Sequence, residues 1–450
     1  MSKDHDQEHL CFGIAEELIS RLARFDGLKV AARTSAFSSA LGALDPSEIG
    51  QRLQVGNVLE SSVRKFGERL RISARLIESE SGAILWTEDY DREANDLFAV
   101  QDEIADKIAT RLRGSLLGGD ASMSREAARV SSFEAFDLYL KGRYCWNKRT
   151  EEELRRGIDF FQKALQISPD FPQAHAGLAD SYTMLGIYGA EAPADVMPRA
   201  KIAAERALEL DPALAEVYTS RGCVRSAYDW EFNGAAADFQ RAMSIDPLYP
   251  TAHQWLAMNC LIPKRRFEQA KAELDKAMQL DPMSLPINIS LGLFYLFSGD
   301  PGRAAEELQR VIEIDPAFPQ AHLFLSQALR ETGQLEAARD TAVRAAELSG
   351  GKSNATATLA AAHAALGDHK RVGWLLEKFL DAPRGRYVSP TLLAQIYAVY
   401  GEVELAFGAL VRAVRMRSSD LLWLGVDPVY APLRRFPRFQ ALLSEIGLEL

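Results

Sequence analysis

The chain has 450 residues, 47% hydrophobic and 25% charged, enough for two or three ordinary folded units and typical of a soluble protein. Its net charge of −10 argues against a general binder of phosphate backbones, which needs a basic surface. The four cysteines (Cys11, Cys145, Cys223, Cys260) are scattered with no C-x2-C pair, so neither a disulfide framework nor a zinc site is indicated, and a reducing compartment is the natural reading.

Met1 to Leu10 is polar and charged, without the apolar region of a secretory signal. The longest greasy stretch, Ile287 to Phe297, contains Asn288 and falls well short of the ~20 residues a membrane span needs. Both point to the cytoplasm. From Phe12 to Leu22, apolar Ile14, Leu18, Ile19 and Leu22 predict an amphipathic helix, ended by Gly27. Leu28 to Arg33 reads as a short strand. Asp45-Pro46-Ser47-Glu48 is a helix start, with Asp as N-cap, Pro in the first turn and Glu three on, leading to a stop at Gly56. From Val58 the period changes to two. Val58 to Val63, a turn at Phe66-Gly67-Glu68 and the alternation Leu70, Ile72, Ala74, Leu76 predict an antiparallel hairpin, and Ser81-Gly82 turns into a third strand, Ala83 to Tyr90. Leu97 to Leu112 is again an amphipathic helix. Residues 12–113 therefore read as a small α+β domain with a mostly antiparallel sheet.

Several runs taken as a set carry a resemblance. They are Phe12-Gly-Ile-Ala-Glu-Glu-Leu-Ile19, Val30-Ala-Ala-Arg-Thr-Ser35, Val58-Leu-Glu-Ser-Ser-Val63, Gly82-x3-Trp86-x3-Tyr90-Asp91-Arg92 and Phe98-x-Val-Gln-Asp-Glu-Ile104. Together they resemble the TolB-like amino-terminal domain found in bacterial proteins ahead of tetratricopeptide arrays, and residues 1–116 are assigned to it. The resemblance implies an apolar strand before the first helix, where this chain has only Asp4 to His9. Either that strand is missing, leaving a sheet edge unpaired, or the true start lies upstream, where an envelope anchor could reside. Ser61 stands where the family has glycine. Residues 114–131 are rich in Gly and Ser, and a linker is placed at 117–131.

Beyond it one pattern recurs. Ala235-x3-Phe239-x2-Ala242-x4-Pro247, Ala270-x3-Leu274-x2-Ala277-x4-Pro282 and Ala304-x3-Leu308-x2-Val311-x4-Pro316 each give one helix face ended by Asp-Pro. Pro212, Pro247 and Pro282 are 35 residues apart, and Pro316 follows after 34, the period of a repeated helical hairpin. Small residues at Ala179, Gly222, Ala257 and Gly292 mark close helix crossings in the first helices. The pattern resembles the tetratricopeptide repeat (TPR). The first hairpin begins near Phe133 and closes at Ser168-Pro169, and the 43 residues from Pro169 to Pro212 imply about nine inserted around Gly189 to Pro198. Weaker copies at Leu366-Gly367-Asp368 and Val399-Tyr400-Gly401-Glu402 complete about eight hairpins over 132–417. Residues 418–450 are assigned to a carboxyl-terminal cap, with a capping helix within Asp427 to Leu450. The predicted fold is mainly α: a small α+β domain followed by an α-solenoid, the TPR superhelix.

Catalytic motifs are not found. Ala346-Glu-Leu-Ser-Gly-Gly-Lys352-Ser353 fits a relaxed phosphate loop, but a repeat helix stands where that chemistry needs a strand. A nucleotide enzyme acting through Lys352 is the weaker alternative, and the glycines read as a helix C-cap. His175, His253 and His322 share a position in three hairpins, about 10 Å apart between neighbours, too far for one metal ion. No catalytic, cofactor-binding or metal-binding residue is assigned. Shape remains. One residue after each crossing point, Asp180, Cys223, Met258, Leu293, Gln327 and Gln395 are expected to look into the groove, and one turn on lie Thr183, Leu261, Leu296 and Arg330. The groove's centre is apolar and its ends are polar, which suits a peptide with a greasy middle. The chain therefore reads as a non-enzymatic scaffold or regulatory adaptor for a protein or peptide partner, with no nucleic acid expected. In relatives, the same pairing of domains follows a class III nucleotide cyclase or a winged-helix DNA-binding domain, so a regulatory part of a split cyclase or transcriptional system is the alternative.

Overall fold

A computed structural model of the chain describes residues 8–22, 28, 30–31, 33–36, 44–66, 69–93, 100, 103–108, 110, 132–351, 353–380 and 387–449. Contacts divide it into two compact units, residues 1–181 with 205–214 and 280–283, and residues 182–204 with 215–279 and 284–450.

The first unit holds helix α1 (Glu8–Leu22), a helical turn α2 (Arg33–Ala36), helix α3 (Pro46–Leu53) and the antiparallel sheet β1 (Asn57–Phe66), β2 (Arg69–Glu78) and β3 (Ile84–Glu93), in the order β1-β2-β3. The predicted capping box forms: Asp45 accepts from the Ser47 and Glu48 amides at 2.9 Å, and Glu48 accepts from the Asp45 amide at 3.1 Å. Gln54, at φ 54°, makes the left-handed stop ahead of Gly56. The period-two alternation also holds, since Leu70, Ile72, Ala74 and Leu76 of β2 are buried against Leu10, Ile14, Leu18 and Leu22 of α1. Val100, Ile104, Ala105 and Ile108, helical where described, join the same core.

Among the described residues of Leu28 to Arg33, the expected strand is not formed. The described residues 28, 30 and 31 are irregular and Arg33 opens α2, because a strand needs a neighbour for its N–H and C=O groups and β1 pairs only with β2 among the described residues. The expectations for Gly27, Gly67-Glu68, the 117–131 linker and Lys352 fall outside the described residues.

Among the described residues, eight helical hairpins follow: Phe133–Asn147 with Glu151–Ile167, Pro172–Ile187 with Pro193–Leu210, Ala215–Val224 with Phe232–Ile245, and Pro250–Leu256 with Phe267–Leu280. The remaining four are Leu285–Ser298 with Pro301–Ile314, Pro319–Glu331 with Leu335–Leu348, Ser353–Ala365 with His369–Leu380, and Pro390–Tyr400 with Val403–Arg415. The recurring Ala-x3-Phe/Leu-x2-Ala/Val positions are all 0% exposed. Their partners are the small residues of the first helices: a Cβ on Gly142 would stand 2.5 Å from Phe161, one on Gly222 2.8 Å from Phe239 and one on Gly292 2.6 Å from Leu308. The inserted residues lengthen Pro193–Leu210 to 18 residues, with Pro198 inside it.

Helix Leu335–Leu348 precedes Gly350 and Gly351, both at positive φ, so they end a helix as a C-cap does. His175 and His322 each donate Nε2–H to the carbonyl six residues back, Pro169 and Pro316, at 2.9 Å, and His253 meets Glu273 at 2.6 Å. Each imidazole therefore serves its own hairpin.

The carboxyl-terminal residues differ from a simple cap. Helix Pro437–Glu445 does pack on the last hairpin, with Phe436 against Phe407 and Arg438 on Glu404. Residues 418–436 are instead two 3-10 turns, Ser419–Trp423 and Pro428–Leu433, lying across the inner helices of their own unit. Pro428 and Pro432, together with Gly425, keep this stretch from continuing as an α-helix.

Candidate functional site

The inner helices of the third and fourth hairpins are irregular where the other inner helices are not. Ala215–Val224 runs on into a π turn at Arg225–Asp229, and Pro250–Leu256 into another at Ala257–Leu261. In the second of these, the Ile262 amide reaches back five residues to Ala257 O at 2.9 Å, bypassing Met258 O. A π-type bond to Met258 O would have to come from residue 263, and Pro263 has no N–H. Met258 O is left as an orphan acceptor. The Trp423 indole N–H fills it at 3.0 Å, and the indole ring lies 5.8 Å from Phe297.

The same device recurs one hairpin earlier. The Glu231 amide bonds Arg225 O at 2.8 Å, and the Tyr228 carbonyl takes the Arg417 guanidinium at 2.6 Å, with Arg417 also over the Tyr228 and Trp230 rings. Ser419 donates to Gly186 O at 3.3 Å. At the other end, Tyr430 donates to Thr391 O at 3.4 Å and stands beside Gln395. Val426 and Trp423 share one apolar cluster with Met258, Leu293 and Leu296. An irregular segment is thus held by backbone carbonyls at its ends and apolar side chains at its middle.

This places the residues expected to line a groove. Met258, Leu293 and Leu296 are 2 to 4% exposed, beneath Trp423 and Val426. Leu261 is half-buried at the edge of that cluster, Gln327 and Gln395 are half-buried, and the Arg330 side chain, 9% exposed, pairs with Glu331 at 3.1 Å beside Asp427. The chain's own segment lies on Met258, Leu293 and Leu296, and its Tyr430 and Asp427 stand beside Gln395 and Arg330. Asp180 departs further. It is buried in the first unit, accepting from Arg143 at 3.2 Å, and Arg143 also reaches Glu16 at 3.0 Å. A buried guanidinium requires such carboxylates. Cys223 packs with Phe239 of its own hairpin and with Leu256 and Cys260 of the next, and Thr183 is fully buried.

The segment carries two carboxyls, Asp427 buried and Asp420 half-buried. Asp420 accepts from Thr391 Oγ at 2.5 Å, and burial pushes its pKa up. Burial also raises Asp427 to about 6, against the Val429 amide and the nearby Arg330, which favour the charged form. Asn259 Oδ1 has no partner, and next to it, Asp420 and Trp423 there is a cavity of about 20 Å³, room for roughly one water. The Asn259 amide donates instead to Ser226 at 3.1 Å. Sequence reasoning missed the π turns, yet a signal was present. The two hairpins that carry them have the 35-residue spacing, and the regular hairpin that follows has 34. A single-residue insertion in a helix is what a π turn absorbs.

Fold and site together define an α-solenoid of helical hairpins whose inner face recognises an irregular chain segment. Residues 295–348 match the tetratricopeptide repeat family, and the chain carries a tetratricopeptide-repeat array. A protein of Rhizobium meliloti (strain 1021), whose name proposes it as adenylate cyclase 3, is 36% identical over 182 residues, 40% of this chain and 30% of that one. Transcriptional regulator HilA of Salmonella typhimurium is 22% identical over 189 residues, 41% of this chain and 34% of that one. The chain thus spans about a third of the length of these relatives. A solved tetratricopeptide repeat protein from Parabacteroides merdae is 13% identical at TM-score 0.41, over 61% of this chain and 100% of that chain. Among the described residues no helix is long and apolar enough to cross a membrane.

Proposed function

We propose that this chain is a non-enzymatic interaction protein of the cytoplasm, a scaffold or regulatory adaptor that takes a peptide or partner domain on the inner face of its repeats. Met258, Leu261, Leu293, Leu296, Gln327, Arg330 and Gln395 form that face, and a TolB-like amino-terminal α+β domain is the second module. One observation carries the reading: the face already holds an irregular segment by carbonyl acceptors and an apolar middle, as a peptide site does. The test is a quantitative pull-down with the full chain and its Leu296→Glu, Arg330→Glu variant, both shown helical by circular dichroism. A partner held by the first and lost by the second supports the face; a partner held equally by both sinks it.

A second reading rests on the relatives' names, one a cyclase and one a transcriptional regulator. In it, the chain is the regulatory part of a split system with its output domain on another polypeptide. Identification of the retained partner by mass spectrometry decides this, and a partner without a cyclase or DNA-binding domain overturns it.

A further inference from the structure

We propose that residues 418–436 are a built-in competitor, and that the partner which displaces them presents an indole with an aliphatic residue three positions on and neutral polar groups where this chain has Asp420 and Asp427. The proposal rests on the inner-face reading and adds its regulation and the chemistry of its ligand. Its first support is how the segment is held. Trp423 reaches an acceptor that the helix itself has orphaned, and Val426 completes the cluster around Leu293 and Leu296. The face thus specifies an indole and an aliphatic side chain.

The second support is what the segment does badly. A carboxyl taken out of water costs free energy unless it is well paired, and buried Asp427 has a single amide donor while half-buried Asp420 has only the Thr391 hydroxyl and its own amide. Arg434 Nε and Asn259 Oδ1 are buried without partners, and the cavity adjoins Trp423. The first of these belongs to the docked segment, and the second is a repeat side chain at the docked surface whose oxygen the segment leaves unmatched. A ligand with amides or hydroxyls in place of the carboxyls keeps the anchors and avoids the cost. It must still overcome tethering. A segment on the same chain competes at an effective concentration on the order of millimolar, so an equal free peptide at ~10 µM fills about a hundredth of the sites.

Two measurements on the full chain test this. Hydrogen exchange on the wild type compares amides 419–433 with those of Leu285–Ser298. The expected result is that the segment opens as a block, ~100-fold or more less protected than the inner helix. Equal protection means permanent core and overturns the proposal, and this holds even if no variant folds. The second measurement is fluorescence anisotropy of a labelled peptide of residues 418–433, and of the same peptide with Asp420→Asn and Asp427→Asn, against wild type and Trp423→Ala. Both peptides should bind the variant at least ~10-fold better than wild type, with the amide peptide the tighter at pH 7.5. Binding to the variant without opening of the wild-type segment leaves the inner-face reading standing and removes the competitor. Opening without peptide binding removes both. Dimers with exchanged segments, seen by light scattering, make a second copy the occupant and overturn the partner assignment.

Discussion

Asp427 faces Arg330 and Glu331 from the sixth hairpin, with Arg434 and Tyr430 from its own segment, and burial outweighs both guanidinium groups. Its folded pKa of about 6 lies above the ordinary aspartate value near 3.9, so the folded state binds the proton more readily than the unfolded one. Stabilisation is therefore full below about pH 4 and is lost as the pH rises through 6, on the order of 3 kcal/mol for this group. Asp420 acts in the same direction. Hydrogen exchange of amides 419–433, corrected for intrinsic rates, should show tighter docking at pH 5 than at 7.5, with the difference reduced in Asp427→Asn. Tighter docking at the higher pH would contradict the burial argument. Gly222 sets a different residue-level limit, since a Cβ there would lie 2.8 Å from the fully buried Phe239 ring. Overpacking of this kind costs about 1–3 kcal/mol, and the better helix propensity of alanine returns about 1 kcal/mol. Gly222→Ala should lower the urea midpoint by a net loss on the order of 1 kcal/mol.

A π turn is one helical element with a residue too many, and its consequence is an unpaired carbonyl. At Met258 O the cause is specific, because the Ile262 amide has gone to Ala257 and Pro263 has none to give. Trp423→Phe keeps an aromatic ring against Phe297 but leaves this buried acceptor unmatched, which costs about 1–2 kcal/mol. Pro263→Ala returns a donor to the helix and should shrink that cost. A double-mutant cycle on the stability of the two changes is expected to show coupling on the order of 1 kcal/mol. Additive effects would mean that Met258 O is not the feature that Trp423 serves. The reading of elements from sequence divides along the same line. Strands β1 to β3, the capping box at Asp45 and the hairpins with Ala235-Phe239-Ala242 on one face were all legible, because each is written in residues one to four apart. The strand expected at Leu28 to Arg33 was not, since a strand depends on a neighbour that local pattern cannot supply.

Across the second unit, Trp423 is one of the side chains through which residues 418–436 reach the fourth and fifth hairpins, with Val426 another. Trp423→Ala should lower the opening free energy of that segment by about 3–5 kcal/mol while the far-ultraviolet helix signal stays, measured by exchange and circular dichroism together. Loss of the helix signal as well would mean that the segment and the repeats fold as one cooperative block. The sequence by itself determined the period and the small residues at the crossings, because helix geometry alone turns spacing into a face. It even held the extra residue in the two 35-residue hairpins. Only the tertiary structure decided what the expected groove side chains meet. Asp180 went to Arg143, and Met258, Leu293, Leu296, Arg330 and Gln395 met the chain's own carboxyl-terminal segment. The indole and the carbonyl it satisfies are 165 residues apart, and no periodic pattern pairs an orphan acceptor with a donor at that distance. That match follows from where the folded repeats leave a carbonyl unpaired.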